Sequence, residues 1–143
     1  MGNKCYTYFR IAGQFDPDDI TARLGLEPFK AHRIGDLRRD GTPFDWAGWC
    51  FGRCEEYDFD TNNQLRKTIA PLLDKTAELR AIKQQYDAIL VIEVVATIYG
   101  DEPTPALGAD EDIIRFCYEA GATIDVDLYL GCEGEPGCPR WEE

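Results

Sequence analysis

Asp125 and Asp127 are the residues of this chain best spaced for chemistry. They sit in an alternating run in which Ile124, Val126, Leu128 and Leu130 take one face and Asp125, Asp127 and Tyr129 the other. On a strand both carboxylates leave the same side, with Cα atoms about 7 Å apart. That separation suits glycosidic cleavage or a divalent cation. No further acid stands at a fixed spacing nearby, so a solvated strand face is the simpler expectation, and no metal is assigned.

A second group is basic: Lys30, His32, Arg33, Arg38 and Arg39. Together they could clamp a phosphate or carboxylate, or be neutralised by Asp36, Asp40 and other acids. His32 is the only histidine and titrates near neutrality, as a general base must. No Ser-His-Asp or Cys-His spacing accompanies it, so no catalytic residue is assigned and the reading leans away from an enzyme. A third group is aromatic: Phe44, Trp46, Trp49, Phe51, Tyr57 and Phe59 fall within sixteen residues. Trp49, Phe51 and Tyr57 would share one strand face, and Phe44 and Trp46 the other. Core packing is the simple account, and an anchoring patch for a protein partner the sharper one.

The six cysteines read as small buried thiols. Cys50 and Cys54 are spaced Cys-x3-Cys and Cys132 and Cys138 Cys-x5-Cys. Neither is a paired zinc spacing, and His32 is remote; Cys132 and Cys138 could close a small loop if oxidised. Gly131, Gly134 and Gly137 follow a strand, yet Pro136 and Pro139 keep a phosphate-cradling helix from opening there.

Charge is the strongest global signal. Residues 101–143 hold twelve carboxylates against Arg115 and Arg140, and account for most of the net charge of −12. Such a field disfavours nucleic acid and anionic lipid and favours basic surfaces. At 143 residues and 44% hydrophobic content, the chain is one domain with a core of ordinary size. The ordered core is expected over about 4–130, with a polar Cys/Gly/Pro tail over 131–143. No apolar run is long enough for a membrane span, and the polar start lacks a secretory apolar stretch, so a cytoplasmic location is expected.

The elements that would position these groups follow from periodicity and punctuation. Lys4 to Ala12 alternates as a strand and ends at Gly13. Asp16 caps a short helix with Pro17 in its first turn, Ile20 and Leu24 inward, and Gly25 as its stop. Residues 27–34 are extended, 36–44 form a loop turning at Asp40-Gly41, and 46–57 form an aromatic strand. Residues 62–86 show helical periodicity interrupted by Pro71, giving a kink or two helices meeting near Asp74. The β-branched run 87–99 is a central strand buried on both faces. A helix over 109–120, with Asp110 near its N-cap, leads through Gly121 to a last strand over 123–130. The order β-α-β-β-α-β-α-β predicts an α+β fold: a ferredoxin-like β-α-β-β-α-β core with an added α-β unit, and a mostly antiparallel sheet with helices on one face.

Several segments together resemble the bacterial family catalogued as domain of unknown function 4279. They are Tyr8-Phe9-Arg10-Ile11-Ala12-Gly13; Asp16-Pro17-Asp18-Asp19-Ile20-Thr21 with Leu24-Gly25-Leu26 and Pro28; Gly35-Asp36; the Trp46/Trp49 region; and Gly121 to Tyr129. The resemblance spans roughly residues 6–130 and leaves out the cysteine-bearing tail. It implies a small, soluble, stand-alone bacterial domain and carries no catalytic residues; immunity and accessory roles enter by fold-level analogy.

The leading expectation is a non-enzymatic acidic binding protein that docks a basic protein partner, for instance an immunity protein neutralising a cationic toxin. Asp101, Glu102, Asp110, Glu111, Asp112, Asp125 and Asp127 would form its face, and Trp46 and Trp49 its anchors. The alternative is a small enzyme or metabolite-binding domain that holds an anionic ligand with Lys30, His32 and Arg33, aided by Arg38 and Arg39. No cofactor is expected, and the protein would be a monomer or homodimer.

Overall fold

The pleat of the strands sorts this chain into two surfaces. The structure, a computed structural model, describes residues 2–100 and 102–131. Asp101 and the Cys132/Cys138 pair lie outside the described residues. The elements are β1 (Lys4–Gly13), α1 (Pro17–Leu24), β2 (Lys30–His32), β3 (Ala47–Cys54), α2 (Thr61–Ile69), a 3-10 turn (Ala70–Leu72), α3 (Thr76–Tyr86), β4 (Ile89–Ile98), α4 (Glu111–Ala120) and β5 (Ala122–Leu130). They build one five-stranded sheet in the order β2-β3-β1-β4-β5. Its pairings are antiparallel except β4 with β5, which run parallel around the α4 crossover. The fold is α+β as the element order predicted, with the α4–β5 unit added beside β4. Among the described residues no helix is long and apolar enough to cross a membrane.

Local chemistry sets the helix ends. The Asp16 carboxylate accepts from the Asp18 N–H at 2.9 Å, and Pro17 occupies the first turn. Gly25, at φ 65°, closes α1 with its N–H on the Thr21 carbonyl. Of the two readings of Pro71, the break is the one observed. Lacking an N–H, Pro71 ends α2 in a 3-10 turn, and α3 starts afresh at Thr76. The extended stretch before the loop is shorter than expected, only Lys30–His32, and the aromatic strand stops at Cys54.

Helices α1, α2 and α4 pack on one face of the sheet, and α3 packs on α1 and α4. Cys5, Thr7, Phe9 and Ile11 of β1 point into this layer, as do Leu90, Ile92, Val94 and Ala96 of β4. Phe9 meets Phe116 of α4 edge-on, with ring centroids 6.2 Å apart. Each such apolar side chain taken from water contributes about 1.5–3 kcal/mol. Trp49 is fully buried here, stacked on Phe51, and its indole N–H donates to Thr21 Oγ1 at 3.0 Å. Cys5, Cys50, Cys54 and Cys117 are free thiols. Burial pushes Cys5 and Cys117 up to about 11, as inert packing thiols should be. On β5, Ile124, Val126, Leu128 and Leu130 follow the core side of the pleat yet stay exposed, because β5 is an edge.

The β1–β3 register shifts between Thr7 and Phe9, a bulge at which Gly52 adopts φ 73°. Polar side chains of α2 satisfy the buried backbone there. Thr68 Oγ1 donates to the Gly52 carbonyl at 2.8 Å and accepts from Thr7 Oγ1 at 2.8 Å. Gln64 Nε2 donates to the carbonyls of Cys5 and Cys54. A Cβ on Gly52 would lie 2.8 Å from the Thr68 carbonyl oxygen. Gly52→Ala is therefore expected to lower unfolding free energy by about 1–3 kcal/mol, seen as a lower urea midpoint at unchanged denaturant slope.

Candidate functional site

The sheet face opposite the helices is where the chain gathers unusual side chains. Tyr6, Tyr8 and Arg10 of β1 project there by alternation, beside Val91, Glu93 and Val95 of β4. Over β1, β3 and β2 lies a cavity of about 240 Å³. Its aromatic lining is Tyr6, Tyr8, Phe29, Phe44 and Trp46, and its polar lining includes Arg10, Lys30, His32, Cys50 and Arg53. Tyr8 meets Phe29 edge-on at 5.7 Å and lies 6.1 Å from Tyr6, over which the Arg53 guanidinium stacks at 4.0 Å.

His32 forms the far wall. The loop between β2 and β3 turns at Gly41 (φ 84°), where Asp40 accepts from the Thr42 N–H. It folds back through paired Asp36–Phe44 and Arg38–Thr42 backbone bonds. Phe44 is thereby laid flat on the imidazole, with centroids 3.7 Å apart and planes 16° apart. Trp46 meets the same ring edge-on at 4.7 Å. Below it is Gly48, where a Cβ would come within 2.5 Å of His32 Nε2, so only glycine lets the ring lie there. Among the described residues His32 Nδ1 is buried with no hydrogen-bond partner. Burial lowers the His32 pKa, with Asp36 opposing the shift, so at neutral pH the ring is uncharged. Burial also raises the Cys50 thiol, so a His32/Cys50 thiolate pair is not built here.

Next to the cavity is an ionic group. Arg10 donates to Glu93 Oε1 through Nε at 3.2 Å and Nη2 at 2.9 Å. Glu93 is only 4% exposed. Burial and the neighbouring Asp125 raise its pKa against the pull of Arg10. Burial and the Glu93 charge push Tyr8 up to about 12, so its hydroxyl stays protonated.

A family model described as a domain of unknown function, DUF4279, matches residues 3–131. The chain belongs to the DUF4279 family. No curated protein and no solved structure matches it. Membership covers every element of the sheet but assigns no activity, so the residues themselves must carry the functional reading.

The sequence groups fare differently in this DUF4279 fold. Of the basic five, Lys30 and His32 line the cavity. Arg33 points away, to Asp16 at 2.5 Å and Asp18 at 2.6 Å. Arg38 stacks on Phe44 and donates to the Pro43 carbonyl, and Arg39 is exposed in the loop. The acids do not form one surface. Asp110 and Asp112 both bind Arg66, so Asp110 starts α4 without making a side-chain cap. Glu102 accepts the Asn3 N–H at 3.0 Å, and Glu111 is exposed on α4. Asp125 and Asp127 stand on the other side of the sheet, in register with Glu93 and Val95. Trp49 has no exposed surface and is no partner anchor, a correction to the aromatic expectation; Trp46 remains on the cavity wall. Sequence reasoning missed Tyr6, Tyr8, Phe29 and Glu93. Alternation alone could have placed Tyr6, Tyr8 and Arg10 on one face, but nothing in the sequence says that this face is bare.

His32 titration tests the geometry. Its folded pKa lies below the ordinary value of 6.5. The unfolded chain then binds the proton more tightly, so stability is lost as pH falls from 6.5 through the folded value and is restored on raising pH. The His32 ring resonances are expected to titrate below 6.5, and lower still in Asp36→Asn.

Proposed function

We propose that this protein is a binding domain for a small ligand with a flat aromatic or apolar body and an anionic group, held on the open face of the sheet. The observation that carries this reading is the cavity where Lys30 stands over a wall of Tyr8, Phe29, Phe44 and Trp46. Lys30 makes no ion pair among the described residues, whereas Arg10 and Arg53 are engaged by Glu93 and Glu55. A ligand carboxylate or phosphate would give the ammonium its partner, and the rings would cover the ligand body. Neutral His32 can donate or accept one hydrogen bond without adding charge.

This reading narrows the anion-binding alternative: Lys30 and His32 serve it and Arg33 does not. The role is binding rather than catalysis, because His32 has no carboxylate on Nδ1 to orient it and Cys50 is a raised thiol. Docking of a basic protein or toxin draws less support. Its carboxylates are divided between two sides of the sheet and partly neutralised by Arg66.

The test uses 2-naphthalenesulfonate, neutral naphthalene-methanol and inorganic phosphate as probes, titrated by calorimetry. The sulfonate is expected to bind one-to-one and more tightly than either of the others. Lys30→Ala should weaken it about tenfold, Trp46→Ala should weaken both aromatic probes, and Arg33→Ala should change nothing. Equal binding of the charged and neutral aromatics, or indifference to Lys30→Ala, sinks the proposal.

A further inference from the structure

On the same bare face, one strand beyond the cavity, the β4–β5 register sets Glu93 beside Asp125 and Val95 beside Asp127. Glu93, Asp125 and Asp127 thereby bring carboxylate oxygens within 4.8 Å of one another. Exposed acids gather on many surfaces without purpose; the group is unusual because of Glu93. That side chain is 4% exposed, and both hydrogen bonds it receives from Arg10, through Nε and Nη2, fall on Oε1. Among the described residues Oε2 is buried with no hydrogen-bond partner, and the Asp125 carboxyl lies close enough to Glu93 to share a proton with it. An ionised oxygen held away from water without a partner is costly, and such groups are normally paired or bound to metal. Three carboxylates against the single guanidinium of Arg10 leave a formal excess of two negative charges at one spot.

We infer that Glu93, Asp125 and Asp127 form a binding site for a hard divalent cation of calcium size, with Glu93 Oε2 as its buried ligand. The donors are all oxygens, the preference of Ca²⁺, Mg²⁺ and Mn²⁺ rather than zinc or copper. The larger ion tolerates the wider ligand spacing. Ligand oxygens about 2.3–2.6 Å from one ion lie at most about 5 Å apart, whereas Mg²⁺, at about 2.0–2.1 Å, limits them to about 4.2 Å. Oxygens within 4.8 Å of one another fall inside the reach of the larger ion without rearrangement. Three protein ligands leave the remaining positions to water, which reaches the site because Asp125 is exposed on the edge strand. The cation would replace the missing Oε2 contact and cancel the excess charge. Arg10 would keep its hold on Oε1 and fix the orientation of the Glu93 carboxylate. This site goes beyond the cavity reading and does not need the cavity to be filled.

The experiment takes the full chain, stripped with chelator, and titrates it with Ca²⁺ and Mg²⁺ by calorimetry and thermal unfolding. Tb³⁺ serves as a calcium-sized probe whose emission Tyr8 and Tyr129 can sensitise. Expected are a saturable one-to-one Tb³⁺ signal displaced by Ca²⁺, a rise in Tm with Ca²⁺, and weaker binding of Mg²⁺. Asp125→Asn and Glu93→Gln should each lower affinity at least about tenfold, while Glu111→Gln on α4 leaves it unchanged. Asp125→Asn lies on the exposed edge and keeps the test valid if Glu93→Gln disturbs Arg10. Three results overturn the site: no saturable signal, binding that survives both substitutions, or no cation binding with a proton shared between Glu93 and Asp125.

Discussion

A sheet covered by helices on one side only is the constraint from which the rest of this structure follows. Its inner strands must send alternate side chains into a dry layer and onto a bare face. The dry layer takes Phe9, Ile11, Trp49, Leu90, Ile92 and their helix partners, and its burial drives the fold. The bare face takes residues left over from β1 and β4, among them Tyr6, Tyr8, Arg10, Val91, Glu93 and Val95. Those residues include an ionic pair and several large rings, where small or purely charged residues would have sufficed for solubility.

The two surfaces are tied together at the β3 bulge. Gly52 leaves the regular ladder, and Thr68 and Gln64 reach up from α2 to satisfy the carbonyls exposed by it. The bulge twists β3 locally and re-aims the side chains that follow. Ahead of the bulge the ordinary pleat carries Trp49 into the core, while Gly48 and Cys50 lie under the cavity. The β2–β3 loop then supplies Phe44 and Trp46 from above. Structural polar contacts below and ligand-sized space above meet along one strand.

Electrostatics on the bare face is unbalanced in both directions. Among the described residues Lys30 makes no ion pair at the cavity, and Glu93 has no hydrogen-bond partner for one oxygen a strand or two away. Burial already raises the Glu93 pKa, so in the folded state its charge is held at a cost at neutral pH. Arg10, between the two, offsets part of that cost through Oε1 alone. The exposed acids elsewhere are better served. Asp16 and Asp18 have Arg33, Asp110 and Asp112 have Arg66, and each pairing neutralises charge locally.

What the sequence determined by itself was everything of short range. The alternation of β1 and β5, the Asp16-Pro17 start and Gly25 stop of α1, the interruption of the helical pattern at Pro71 and the loop turn at Asp40-Gly41 are each set by residues within a few positions of one another. So were the α+β class and the family. The tertiary structure decided which groups meet. Register placed Glu93 beside Asp125 across thirty-two positions of chain, and α4 carried Asp110 to Arg66 across forty-four. The stack of Phe44 on His32 depends on a glycine in the neighbouring strand. Such pairings depend on strand order and on which face the helices cover. Those are settled by the packing of the whole core, and no local spacing reports them.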